Sequence, residues 1–435
     1  MKVSQNKVLG AILLIVLLSA INGVFKPLMV SSLYVMQALI VLYCLHIFIP
    51  LVIFILFYTN IRDMFYKPAA PAGPNTTEFL LLIPAHNEER LLPTLLSSIH
   101  AQNYPASLVT PVVIADNCQD TTATIARQAG VTCLERFTKP PSDKMQALMY
   151  ASEKMAITSQ ARGRVVCVID ADCRLERNFL MELDNMFSRP EAAAAVQTYR
   201  YVNNTFASDV TVLDAAAEAL RQWLLSGTRK LFGMDTFVYG LGFAVRDNIF
   251  GELMRLPEYS LAEDKDWKAY LVEREIKVDF CPAARLSYEV VDNSQAFQKQ
   301  RSRWLAGHFE TLKKHGFRLL GQGLLHGKFA QIDFACELLQ PPRSILLFSI
   351  LFFAIASFFF PQYSLLAGWT WWVLAVVFVL YGFIGLRLIR AKRHHYLLLL
   401  SGLNLMLNIL KSVVAITFGK SSQTWAATRT AAKQA

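Results

Sequence analysis

The chain has 435 residues, 54% of them hydrophobic, and a formal net charge of +10. A mean hydropathy of +0.33 excludes an ordinary soluble enzyme, while the length leaves room for about two or three domains. The seven cysteines are scattered with no Cys-x-x-Cys pair, and the eight histidines show no metal-helix spacing, which excludes a zinc framework and suits a reducing compartment.

The excess apolarity is concentrated. Residues 8–25 and 28–58 contain no Asp, Glu, Lys or Arg, and neither do residues 344–386. A membrane span takes roughly 20 apolar residues. The first block therefore predicts two transmembrane helices within residues 1–67. The second predicts two more, turning at Pro361-Gln362-Tyr363. A cleaved signal peptide is the other reading of the first run, because Lys2 and Lys7 precede it. No small-x-small cleavage site follows it, and a second, longer apolar run does. Much of the positive charge flanks these blocks, at Lys2, Lys7, Arg62, Lys67, Arg387, Arg390, Lys392 and Arg393. That pattern predicts a multi-pass protein of a bacterial inner membrane, with the N-terminus, the middle region and the 387–393 loop on the cytoplasmic side. It accounts for the charge by topology and anionic lipid headgroups, with no nucleic acid as partner.

Residues 68–77, opening on Pro68-Ala69-Ala70-Pro71-Ala72-Gly73-Pro74, read as a linker. Apolar runs and helical stretches then alternate within residues 78–292. Strands are predicted at 79–83, 112–115, 131–134 and 165–169, with helices at 88–102, 121–129, 143–157 and 176–187. Such alternation predicts a parallel sheet covered on both faces. Three of the strands end in chemically useful residues: Pro84-Ala85-His86-Asn87-Glu88, Asp116-Asn117 and Asp170-Ala171-Asp172. Ligands of open α/β sheets bind at the carboxyl ends of the strands, so these residues are expected on one rim. Glu263-Asp264 opens a further helical stretch running through residue 272. Residues 293–332 read as amphipathic interface helices carrying Gln300-Arg301-Ser302-Arg303-Trp304. Residues 333–418 are expected to hold C-terminal transmembrane or interface helices, and 419–435 a cytoplasmic tail. Asn404, Asn408 and Lys411 are costly in lipid, which argues that residues 395–418 lie at the interface or line the bundle.

Each acidic motif alone has a bland alternative: Asp-x-Asp as a solvated loop, Asp116 as a turn, Glu88 and Glu263-Asp264 as acids in the first turn of a helix. In this order, followed by Gln-x-x-Arg-Trp, they resemble the membrane-integrated family 2 glycosyltransferases: cellulose, chitin, hyaluronan and poly-N-acetylglucosamine synthases, and ceramide glucosyltransferase. The resemblance implies a cytoplasmic catalytic domain of the GT-A type, with a mixed, mainly parallel sheet, joined to helical membrane segments. It implies a UDP-sugar donor, UDP-glucose or UDP-N-acetylglucosamine, and Mg or Mn as cofactor. Ala85, Glu88, Asp116, Lys144, Asp170 and Arg303 would hold the nucleotide, with Asp116 on the uracil ring and Asp172 on the metal.

Asp264 would be the base that takes the acceptor proton in an inverting transfer. Gly242, Glu263, Gln300 and Trp304 would line the acceptor site, where a tryptophan offers a flat face to a sugar ring, and Gly240, Leu241 and Arg246 resemble the family's glycine loop nearby. Trp425, Thr428 and Arg429 resemble a gating element. Two departures stand out: Asp143 replaces the glycine usual before Lys144, and Ala262 replaces the threonine usual before Glu263. Gln-x-x-Arg-Trp favours a processive polysaccharide synthase. A single-transfer enzyme with a membrane lipid acceptor is the alternative, and a catalytically silent scaffold of an export complex is the reading from another class. A carbohydrate or lipid acceptor, the bilayer and export or regulatory subunits are the partners considered.

Overall fold

A computed structural model of the protein describes residues 5–67, 75–139, 143–158, 160, 163–189 and 192–399. They divide into two compact units, one within Met1–Ile49 and Pro341–Tyr381, the other within Pro50–Gln340 and Gly382–Ala435. The strands are β1 (Phe79–Ala85), β2 (Val109–Asp116), β3 (Thr132–Arg136), β4 (Val165–Val168), β5 (Cys173–Leu175), β6 (Ala195–Val202), β7 (Phe243–Arg246) and β8 (Val278–Tyr288). The helices are α1 (Gln5–Leu56), α2 (Tyr58–Tyr66), α3 (Leu92–His100), α4 (Thr122–Gln128), α5 (Lys144–Lys154), α6 (Phe179–Phe187), α7 (Asp209–Leu220), α8 (Gly227–Leu231), α9 (Asp247–Leu253), α10 (Glu263–Glu273), α11 (Ser294–Thr311), α12 (Phe317–His326), α13 (Phe329–Leu339), α14 (Arg343–Phe359) and α15 (Gly368–Leu388).

The larger unit is built on one sheet of order β3-β2-β1-β4-β7-β6-β8-β5. The first four strands are parallel. β7 runs antiparallel to β4 and β6, β6 and β8 are parallel, and β5 closes the edge antiparallel to β8. The GT-A-type mixed sheet is thus present. β1 shows why the apolar runs are continuous rather than alternating. Phe79, Leu81 and Ile83 pack on one face with Leu95, Phe179 and Leu183 of α3 and α6. Leu80 and Leu82 pack on the other face with Met145, Phe250 and Trp267 of α5, α9 and α10. A strand buried on both sides has no polar face to display.

The structure trims the predicted helices. The one expected at 88–102 starts only at Leu92, because the chain first turns off β1 through Asn87, whose φ is +56°. Glu88 consequently sits in that turn and is not a helical acid. The apolar pattern does not predict the strands from residue 195 onward, of which β7 is only four residues long and follows Gly240 and Gly242.

In the smaller unit, α14, a short turn at Pro361–Tyr363 and α15 follow the sequence expectation. The polar Gln37 of α1 is fully buried because it caps that turn. Its amide donates to the Tyr363 carbonyl at 2.9 Å and accepts from the Leu365 N–H at 2.8 Å. Phe352, Phe358, Trp369, Trp372 and Val376 remain exposed, leaving an apolar outer surface of the kind that lipid covers.

The N-terminal block differs from expectation: residues 5–56 form one uninterrupted helix and not two. Only Lys26-Pro27 separates its apolar runs, too short a break to reverse long helices, and a proline removes a single ladder bond. Among the described residues, Met29–Leu56 and Gly368–Leu388 are long and apolar enough to cross a membrane, or three spans if α13 and α14 count as one broken span. The sequence reading had four or five. Residues 68–74 of the linker, residues 400–418 and the tail with Trp425, Thr428 and Arg429 lie outside the described residues.

Gly242 marks the centre of the sheet. It has φ +65°, and an added Cβ would lie 2.2 Å from Thr198 Oγ1 and 2.6 Å from Leu286 Cδ2. Gly242→Ala is expected to lower stability by about 2–4 kcal/mol, from overpacking and from a positive φ that alanine resists. A thermal-unfolding shift of several degrees checks this; an unchanged melting temperature would contradict the packing described.

Candidate active site

The carboxyl ends of β1, β2, β3 and β4 form one rim. Register places Ala85 beside Ala115 and Asp116 beside Arg136. Asp116 is almost fully buried, and its carboxylate accepts from Arg136 Nη1 at 2.6 Å. Its carbonyl oxygen lies 2.7 Å from His86 Nδ1. Arg136 in turn bonds Gln146 of α5. The sequence reading missed Arg136, which looked like an ordinary strand end; only the register reveals it. Glu88 is half-buried, its N–H donating to Thr122 Oγ1 at 2.8 Å, and Asp120 bonds the N–H groups of Thr122 and Glu89. These bonds stitch the first two loops of the rim together.

Lys144 is the first residue of α5. Asp143, the departure from the family glycine, is its N-cap, accepting from the Met145 N–H at 3.0 Å. The ammonium donates to Asp170 Oδ1 at 2.6 Å and to the Gly240 carbonyl at 3.0 Å, and lies 3.8 Å from Glu263 Oε1. Burial works to lower its pKa, yet the carboxylates of Asp170 and Glu263 outweigh burial and hold it above the usual lysine range.

Glu263 and Asp264 begin α10. Trp267, fully buried one turn on, anchors that helix against Phe243 and Phe250. The third acid of the turn, Asp266, is structural: it accepts from the Ser260 N–H and pairs with His315 at 3.3 Å. Glu263 and Asp264 instead face the Gly240 turn, where a Cβ on Gly240 would lie 3.5 Å from Glu263 Oε1 and 3.4 Å from Asp264 Cβ. Burial raises the pKa of both carboxyls, and their mutual repulsion adds to it on Glu263, while Lys144 opposes the rise on each. Gly242 is buried between β4 and β6: its N–H donates to the Val168 carbonyl at 2.8 Å and its carbonyl accepts from Thr198. It shapes the turn, and Gly240 is the glycine facing the acids. Arg246 leaves the set. It pairs in register with Val165 at the opposite end of β4, and its guanidinium donates to the Phe187 carbonyl at 2.7 Å.

Helix α11 presents Gln300, Arg303 and Gly307 along one stripe, and Phe297, Arg301 and Trp304 along another. Burial depresses the pKa of Arg303, against the pull of Glu263, Asp143 and Asp170. Arg303 makes no ion pair within 4.0 Å among the described residues. Gln300 is half-buried. Trp304 is 41% exposed, with Arg301 over its ring at 5.0 Å and Arg301 itself paired to Asp214 of α7.

Gly307, unnoticed in the sequence, lets α11 dock: a Cβ there would lie 2.7 Å from Ala262 N and 2.9 Å from Ala262 Cβ. Around it Leu261 N–H donates to Glu310 at 3.1 Å, Ser260 and Thr311 hydroxyls meet at 2.9 Å, and Lys265 bonds His308. The helix with Arg303 is thereby clamped to the backbone just before Asp264.

Asp170 and Asp172 flank Ala171 directly after β4, with Asp170 33% exposed. Among the described residues no three His, Cys, Asp or Glu groups converge as a closed metal cage. A magnesium-type ion completed by phosphate oxygens and water needs only one or two carboxylates, and the hard oxygen donors of Asp170 and Asp172 are of the kind that mode uses.

Residues 74–307 match the family model described as glycosyltransferase like family 2. The chain belongs to that family. It is 25% identical over 288 residues to the probable glycosyltransferase YdaM of Bacillus subtilis, covering 64% of this chain and 62% of that protein. It is 25% identical over 237 residues to the beta-monoglucosyldiacylglycerol synthase of Trichormus variabilis, covering 53% of this chain and 48% of that one. The chain thus spans between about half and two thirds of the length of the relatives it matches. Among solved structures, a mannosyltransferase from Pyrobaculum calidifontis in complex with GDP-mannose and Mn2+ superimposes with TM-score 0.53 at 15% identity, over 88% of this chain and 99% of that one. That likeness shows the shared GT-A fold.

Gly307→Ala is expected to push α11 off residues 261–262, costing about 1–3 kcal/mol and at least tenfold in sugar transfer. Thermal unfolding and nucleotide release from a sugar donor check the two parts. Full activity in this variant would contradict the clamp.

Proposed function

We propose that the protein is a membrane-bound inverting glycosyltransferase that passes glucose or N-acetylglucosamine from a UDP-sugar to the hydroxyl of a growing polysaccharide, with its catalytic unit on the cytoplasmic side. One observation carries the reading: Lys144 joins Asp170 of the nucleotide rim to Glu263, whose neighbour Asp264 faces the Gly240 turn. Donor and base then share one site. Asp264 accepts the proton of the acceptor hydroxyl, the oxygen forms a bond to the anomeric carbon, and the carbon–phosphate oxygen bond breaks with its electron pair leaving on UDP. Arg303 and Lys144 neutralise the departing diphosphate, the guanidinium through paired hydrogen bonds. Asp170 and Asp172 would hold a divalent cation, which when bound supplies Lewis-acid stabilisation of the leaving phosphate. Asp116 and Arg136 frame the base pocket with Ala85 and Glu88, and Gln300 and Trp304 border the acceptor. The two apolar helices support the membrane placement.

Polymer synthesis is supported by the Gln-x-x-Arg-Trp motif. The second reading, one transfer to a membrane lipid, is favoured by the relative named as a beta-monoglucosyldiacylglycerol synthase, whose beta product also agrees with inversion of an alpha-linked donor.

Full-length protein in nanodiscs, incubated with Mg or Mn and labelled UDP-sugars, tests this. Asp264→Asn is expected to cut turnover by about 10²–10⁴-fold while UDP still binds. Labelled polymer lost in the variant supports the first reading, a lipid-soluble product the second, and wild-type turnover in the variant would sink both. The base must be ionised to act, and burial raises its pKa. Activity should therefore fall on acidification through a pH above the ordinary carboxylate range, read from a pH–rate profile.

A further inference from the structure

A buried acid of α7 reaches the exposed tryptophan of α11 through one arginine. Asp214 lies inside α7, where aspartate is a poor helix former, and it is only 7% exposed. A carboxylate so placed needs an opposite charge, and Arg301 Nη2 of α11 donates to its Oδ1. The same guanidinium lies over two rings of its own helix, with Cζ 4.9 Å from the centre of Phe297 and 5.0 Å from that of Trp304. Spacings of four and three residues put all three side chains on one stripe of α11. A planar guanidinium can bond a carboxylate at its edge and stack on rings with its faces, which a lysine cannot do. Phe297 is buried, whereas Trp304 keeps 41% of its surface exposed.

The support behind this contact is firm. Ser208 and Thr211 cap the start of α7 reciprocally, at 2.9 and 3.3 Å. Val212 and Ala216 pack with Leu386, and Ala215 with Val202 and Val290. One turn beyond Asp214, Glu218 holds Arg200 of β6 through Nε at 2.8 Å and Nη2 at 3.2 Å. The helix that carries Asp214 is thus tied to its neighbours by apolar packing and by ion pairs.

We propose that Asp214 is a positioning residue for the acceptor site: through Arg301 it fixes the ring of Trp304, covering one face with the guanidinium and leaving the other for the apolar face of an acceptor sugar. The proposal rests on the reading of Trp304 as a border of the acceptor site. An exposed ring left to swing has to be ordered by each incoming acceptor, and a ring already held in place spares that entropy. Such a platform suits an acceptor that ends in a sugar ring, which is the growing-polysaccharide form of the reaction.

The test uses full-length protein in nanodiscs, with its seven tryptophans labelled as 5-fluorotryptophan and the Trp304 signal assigned by its loss in Trp304→Phe. Fluorine NMR is read beside UDP release from UDP-glucose and UDP-N-acetylglucosamine. Asp214→Asn should move the Trp304 resonance and leave the other tryptophan signals in place. Its kcat should fall by about three- to tenfold, the rate equivalent of one cation–π contact, with the KM for the donor unchanged. Asp214→Glu, which keeps the charge, should recover most of both changes. With Trp304→Ala already present, Asp214→Asn should cost nothing more, because the ring it acts on is gone. A Trp304 resonance that stays put in Asp214→Asn, all the tryptophan signals moving together, or a full additional loss on top of Trp304→Ala would overturn the assignment. Absence of UDP release from the wild-type protein with either donor would count against the proposed function, while the Trp304 resonance would still decide whether Asp214 holds the ring.

Discussion

The site depends on one buried ammonium. A charge removed from water survives only if opposite charge and hydrogen-bond acceptors surround it, and Lys144 finds them on three separate segments: Asp170 after β4, the Gly240 carbonyl before β7 and Glu263 at the start of α10. These segments lie far apart in sequence, so the knot sets their spacing. It also sets the chemistry. Two carboxyls, Glu263 and Asp264, can be packed side by side because Lys144 favours the ionised form of each and Lys265 adds to it on Asp264. The cationic side chains of Lys144 and Arg303 suit the diphosphate of the proposed reaction, and groups set in place before the substrate arrives are how preorganised electrostatics lower a barrier.

Much of this was legible in the sequence, for identifiable reasons. The strand ends bearing Asp116 and Asp170 stood out because a sheet buried on both faces writes continuous apolar runs, which stop where the polar rim begins. Lys144 stood out by its neighbours, and the apparent defect before it, Asp143, proves to be an N-cap that starts the helix. Asp266 illustrates an ambiguity of pattern: three acids in one helical turn look alike, yet one ties down the Ser260 loop and His315 while the other two face the site.

What escaped notice depends on contacts between distant segments. Arg136 acquires meaning only by lying beside Asp116 in register, and Gly307 only because residues 261–262 pass against its helix. Arg200 and Glu218 read as an ordinary strand and helix residue until they meet. Arg246 erred the other way, since proximity in sequence to Gly240 and Gly242 placed it near the acids, whereas one antiparallel strand carries it to the far end of the sheet. At the N-terminus, composition located the apolar residues and could not tell one long helix from two.

In the proposed reaction the strand-end rim and Asp264 form a single site. A map of the full-length protein in nanodiscs with UDP-glucose and Mg2+ tests that most directly. The diphosphate should lie between Asp170 and Arg303 in contact with Lys144, the uracil beside Asp116, and the anomeric carbon should leave room for an acceptor oxygen about 3–3.5 Å away that also reaches Asp264. A nucleotide bound away from this rim, or an anomeric carbon turned from Asp264 with no space for such an oxygen, would contradict it.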